Sequence, residues 1–173
     1  PGDGASDPER WSWPNAVQFV VSNFGMFSEN LRGLAERAFT NRWVDAGSRT
    51  GKVGGAYCMW LRRGESRILA NFLPAYSGAS TLAHELGHAY HNFNQAALPP
   101  LRRSTPMTLA ETASTFCETI VRNAALQDAA PHEQLVILEA FLQDAAQIVL
   151  DISSRFRFEA RVFEARHERQ LSV

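Results

Sequence analysis

Apolar residues recur every three or four positions through most of this chain, the period of helices with one buried face. Pro14 opens such a pattern, which continues through Val17, Val20 and Val21 and is predicted to end near Gly25. Ser28 stands where an N-cap belongs, ahead of a second helical stretch that places Leu31, Leu34, Ala35 and Ala38 on one side. The period then shortens. Two strand-like runs, residues 56–61 (AYCMWL) and 67–73 (RILANFL), flank the turn Arg63-Gly64-Glu65 and predict a β-hairpin. Helical spacing returns with Leu82, Leu86, Ala89, Tyr90 and Phe93, where Ser80 or Thr81 is the expected cap. Beyond Pro99 and Pro100 a further helix is predicted over 105–127, with Leu109, Ala113, Phe116, Ile120 and Ala124 on its apolar side. Glu111, Ser114, Thr115, Glu118 and Arg122 form its polar stripe. Residues 131–172 read as one or two long helices, apolar along Leu135, Leu138, Phe141, Leu142, Ala145, Ile148, Val149, Ile152 and Phe156. The fold class is therefore mainly α with a small β-hairpin or sheet.

Composition narrows the picture. The 173 residues are 45% hydrophobic, enough for one compact domain, expected over 11–173 after a loose Gly- and Pro-rich lead-in at 1–10. A net charge of −1 and a pI near 6.6 leave no basic footprint for nucleic acid. There is neither an apolar run long enough to span a bilayer nor a signal-peptide pattern. Cys58 and Cys117 lack metal-type spacing and read as buried thiols, which fits a cytoplasmic protein. Trp11, Trp13 and Trp43 are most simply packing anchors, and His132 and His167 surface residues. Lys52, the one lysine, lies in the Gly-rich stretch 47–55 (GSRTGKVGG), which lacks the Gly-Lys-Ser/Thr ending of a phosphate loop.

The candidate chemistry lies in residues 81–91, TLAHELGHAYH. His84 and His88, four apart, share one face of a helix and can bind a single metal ion, while Glu85 reaches toward a water on its open side. That is the layout of a hydrolytic site holding one Zn2+, with Mn2+ or Co2+ as other occupants. Gly87 removes bulk between the two histidines and lets a neighbouring element approach. Two histidines require a third protein ligand, and Glu111 on the following helix can supply it. The arrangement with a third histidine six residues beyond His88 fails, because that position is Asn94 and position 91 is histidine rather than glycine. Glu118, two turns beyond Glu111, either accepts the other N–H of a ligand histidine or is a plain structural residue. The hairpin is either structural or an edge that pairs with an extended peptide. In the second case Gly55, Ala56 and Tyr57 are the candidates for substrate contact.

The segments GKVGGAYC, ILANF, STLAHELGHAYH, MTLAETASTFCE and SRFRFEARVFEAR, in this order and at these spacings, resemble the catalytic region of oligoendopeptidase F. That enzyme belongs to the thimet oligopeptidase-like zinc metallopeptidases. The resemblance implies a largely helical, zincin-like catalytic region that hydrolyses internal bonds of short peptides in a deep channel. It also implies zinc on His84, His88 and Glu111, with Glu85 as the catalytic carboxylate. A substrate-binding His and Tyr from a later segment, and a large N-terminal part, lie outside these residues, so the chain reads as a fragment or a shortened relative. Two further classes stand beside the peptidase: a non-catalytic zinc-binding piece, and an interaction piece that joins the missing lobes or self-associates.

Overall fold

The computed structural model describes residues 8–170, so the expected lead-in lies largely outside the described residues. Two compact units divide between Ala130 and Pro131.

In the first unit, α1 (Trp13–Phe27) and α2 (Glu29–Thr40) pack as a pair, followed by β1 (Val44–Asp45), β2 (Tyr57–Arg62) and β3 (Glu65–Leu69). Next come α3 (Tyr76–Gln95), a 3-10 turn at Pro100–Arg102, α4 (Met107–Ala110) and α5 (Thr112–Asp128). Helix α3 is central and touches α1, α2, α5, β2 and β3. Its Ala79, Leu82, Ala83, Leu86 and Ala89 are buried against a core that includes Val20, Phe24, Leu31, Leu34 and Val121. The apolar face of α2, Leu31, Leu34, Ala35 and Ala38, is buried as its spacing predicted, whereas α1 buries Ala16, Val20 and Phe24, leaves Val17 and Val21 partly exposed, and runs to Phe27 rather than ending near Gly25. Trp11 and Trp43 are buried, and Trp13 meets Phe39 and Phe72 edge-to-face.

The sheet has the order β1-β3-β2. β2 and β3 pair antiparallel from Tyr57 opposite Leu69 to Arg62 opposite Glu65, with a register shift between Trp60 and Arg62. The turn is tighter than predicted, since Glu65 already belongs to β3. Cys58, Trp60, Ser66 and Ile68 are the more buried positions of the hairpin, while Tyr57, Met59 and Leu61 are exposed. β1 pairs parallel to β3, so β3 is the central strand, and among the described residues nothing pairs with the outer edge of β2.

Three local expectations are corrected. Helix α3 begins at Tyr76 rather than at Ser80 or Thr81, just after Pro74, and Thr81 Oγ1 donates to Ser77 O inside the helix. The helix expected over 105–127 is broken at Glu111, whose φ of −94° and ψ of 3° leave helical geometry. The buried face of α5 is Ser114, Cys117, Val121 and Ala125; Phe116 and Leu109 are exposed.

The second unit is a continuous helical run: α6 (Pro131–Ala146), a π-helical segment Gln147–Ile152, and α7 (Ser153–Glu168). Ile137 is buried, while Leu135, Leu142, Ile148, Val149 and Phe156 are exposed. Among the described residues no helix is long and apolar enough to cross a membrane.

Candidate metal centre

Helix α3 sets the histidines. Four residues apart on an unbroken helix, His84 and His88 project to one side, and their Nε2 atoms stand 3.1 Å apart. Gly87 lies between them, and a Cβ there would fall 2.6 Å from Ala113 O and 2.7 Å from Ser114 Cα. No other residue permits α5 to approach so closely. This contact brings the start of α5 against α3, and the helix break next to it turns Glu111 back over the histidines. Glu111 Oε2 then lies 3.2 Å from each Nε2.

These three candidate ligand atoms thus form a nearly equal-sided triangle. Tetrahedral zinc with N and O bonds of about 2.0–2.2 Å separates its ligand atoms by about 3.3–3.6 Å. The donor set and its spacing fit such an ion. Electrostatics point the same way. Glu118 Oε1 lies 2.7 Å from His84 Nδ1 and accepts its proton, which leaves the His84 Nε2 lone pair facing the other two atoms. Lone pairs converging at this distance repel unless a proton or a cation lies among them.

Glu85, one step round α3, is only 4% exposed. Its Oε2 is buried without a hydrogen-bond partner, and burial pushes its carboxyl up to about 7, opposed by His84 and reinforced by Glu111 and Glu118. Burial lowers His84, but the hydrogen bond and charge of Glu118 outweigh it and leave the imidazole above its usual value. His88, without such a partner, is held below its usual value by burial. A cleft of about 430 Å3 opens onto these groups, lined also by Ala56, Tyr57, Cys58, His91, Asn92, Thr105 and Ala110. Ala56 and Tyr57 therefore border the same space as the histidines; Gly55 sits one residue back, its carbonyl 3.2 Å from Asn71 Nδ2.

Asn92 was not singled out by the sequence, and His91, placed on the helix face of His84 and His88, and Ser114 were given no contacts there. Ser114, assigned to a polar stripe, is fully buried, and its hydroxyl lies 2.7 Å from Glu111 Oε2 and 2.9 Å from Glu111 O. Asn92 donates to Ser66 Oγ at 3.1 Å and so ties α3 to the hairpin. His91 Nε2 accepts from Gln95 Nε2 at 2.9 Å. The recurrence 84, 88, 91, 92, 95 along α3 was the available signal for the last two. Cys58 is only partly buried and Cys117 is buried; both are free thiols.

Residues 14–163 match the profile of peptidase family M3. The chain belongs to that family. This M3 chain is 27% identical over 158 residues to the oligoendopeptidase F homolog of Lactococcus lactis subsp. lactis, covering 90% of the chain and 26% of that protein. It is 28% identical over 163 residues to the group B oligopeptidase PepB of Streptococcus agalactiae serotype III, covering 93% of the chain and 27% of the relative. A crystal structure from Chlamydophila abortus superposes with a TM-score of 0.74 at 23% identity, over 91% of this chain and 27% of that one, a likeness of fold. The family expected from the paired HELGH and ETASTFCE segments is the one found. The M3 chain spans about a quarter of the length of the curated relatives it matches.

Proposed function

We propose that this chain carries the zinc site and catalytic carboxylate of a metalloendopeptidase that hydrolyses internal bonds of short peptides. The observation that carries the reading is the convergence of His84 Nε2, His88 Nε2 and Glu111 Oε2, with the buried, unpartnered Glu85 carboxylate in the same cleft. His84, His88 and Glu111 would hold the ion, and Glu118 would keep His84 in the tautomer that presents Nε2. Bound there, zinc supplies Lewis acidity, polarising a carbonyl and acidifying water. Glu85 Oε2, with no competing donor, accepts a proton from the attacking water and delivers it to the leaving amine. Tyr57 and its neighbours stand at the free edge of β2, where an extended peptide can add as a strand.

The length relation to the relatives favours a second reading, in which this portion holds metal without turnover by itself. One experiment separates the two. Zinc content and cleavage of an internally quenched oligopeptide are measured for the chain, Glu85→Gln and Glu111→Gln. The peptidase reading expects about one zinc per chain in the parent and in Glu85→Gln, turnover lower by about 100- to 10,000-fold in Glu85→Gln, and metal lost in Glu111→Gln. Zinc without cleavage in the parent selects the second reading. Undiminished zinc affinity in Glu111→Gln removes that residue from the ligand set.

A further inference from the structure

Lys52 is the one lysine beside 16 arginines, and the structure gives a reason for the exception. The Lys52 side chain is 1% exposed. Its Nζ lies 2.9 Å from Asp45 O, 2.9 Å from Gly47 O and 2.6 Å from Ala70 O, with Asp45 Oδ1 at 3.3 Å. An ammonium has three N–H donors on a compact head, which three converging carbonyls satisfy; a planar guanidinium presents its donors as a flat fork and cannot. Arg49 takes the outer side of the same carboxylate at 2.8 Å.

The three carbonyls belong to the end of β1, the segment just after it, and the residue after β3. Lys52 therefore pins the middle of the Gly-rich segment 47–55 to the end of the sheet at which β2 begins, where Tyr57 and Asp45 both pair with Leu69. A second tether completes the hold: Asn71 Nδ2 donates to Val53 O at 2.8 Å and lies 3.2 Å from Gly55 O. Directly after these tethers Gly55 adopts a φ of +83°, a conformation only glycine takes without strain. The chain then enters β2 at the rim of the cleft through Ala56 and Tyr57.

We propose that Lys52 is a positioning residue for peptide binding: gripped by the Asp45, Gly47 and Ala70 carbonyls, its ammonium fixes the backbone from Gly55 to Tyr57 in the shape that accepts an extended peptide. The proposal rests on the peptidase reading given above. A free edge binds a strand through its own N–H and C=O groups, so a loop that must first be ordered weakens binding without touching the proton transfer at Glu85.

The test uses the zinc-loaded full chain, Lys52→Ala, Lys52→Arg and Asn71→Ala, an internally quenched oligopeptide, and amide exchange at residues 53–58 without peptide. Lys52→Ala and Lys52→Arg are expected to raise KM at least about tenfold with kcat within about threefold, and to speed exchange at 53–58. Ethylammonium, which fits the space left in Lys52→Ala, is expected to restore both readouts. Asn71→Ala, which keeps the buried ammonium, is expected to raise KM in the same direction and by less. Unchanged KM and exchange in Lys52→Ala overturn the proposal, as does a KM rise in that variant that ethylammonium leaves untouched. If Lys52→Ala fails to fold, an unchanged KM in Asn71→Ala overturns it. A parent chain that cleaves no peptide is a failure of the peptidase reading itself, and so is distinguishable.

Discussion

Ser114 illustrates how much of a site can rest on a small hydroxyl. It is fully buried, and its Oγ sits 2.7 Å from the oxygen of Glu111 that faces both histidines. Glu118 plays the matching part for His84, at 2.7 Å from Nδ1. On the zinc reading proposed above, Ser114 and Glu118 orient Glu111 and His84, and groups that orient metal ligands are worth about 10- to 100-fold in metal affinity. Ser114→Ala and Glu118→Ala are each expected to weaken zinc binding by about that factor, measured by competition with a chelating dye, while circular dichroism stays native. At this scale the sequence was partly readable. His84 and His88 were legible because their spacing on one helix fixes their geometry locally. Ser114 was not, because nothing local tells a hydroxyl on a polar stripe from one pressed against another helix.

The elements explain why. In residues 107–118 (MTLAETASTFCE) no glycine or proline marks a break, yet the helix stops at Glu111 and restarts at Thr112. The same close approach at Gly87 that places Glu111 selects Ser114 and Cys117 as the buried side of α5 and leaves Phe116 outside, where it packs edge-on against Phe27. Periodicity alone had ranked the apolar residues as buried; tertiary contact overrode it. β1 was missed because two residues carry no alternation and its partner β3 is distant in sequence. Gly87→Ala tests the dependence directly. The added methyl must displace backbone rather than a flexible side chain, at a cost of about 1–3 kcal/mol. The variant is expected to melt lower by roughly 3–10 °C and to bind zinc more weakly, both by calorimetry.

At the scale of the molecule, the candidate ligands, Glu85, Glu118 and the hairpin all fall before the division at Ala130. A chain ending at Ala130 is therefore expected to bind zinc within about threefold of the parent, as checked by the same chelator competition. A larger loss would mean that 11–173 works as one region, as its sequence suggested. The exposed edge of β2 has one more consequence, for handling rather than for chemistry. A strand end open to a peptide is equally open to the same strand of another chain, and Met59 and Leu61 are exposed there. Arg62 is paired with Glu65 at 2.9 Å, which leaves Arg63 at the turn to give approaching copies like charges, a protection that salt screens. Concentrated stocks should therefore turn cloudy sooner as ionic strength rises, through edge-to-edge aggregation of folded molecules.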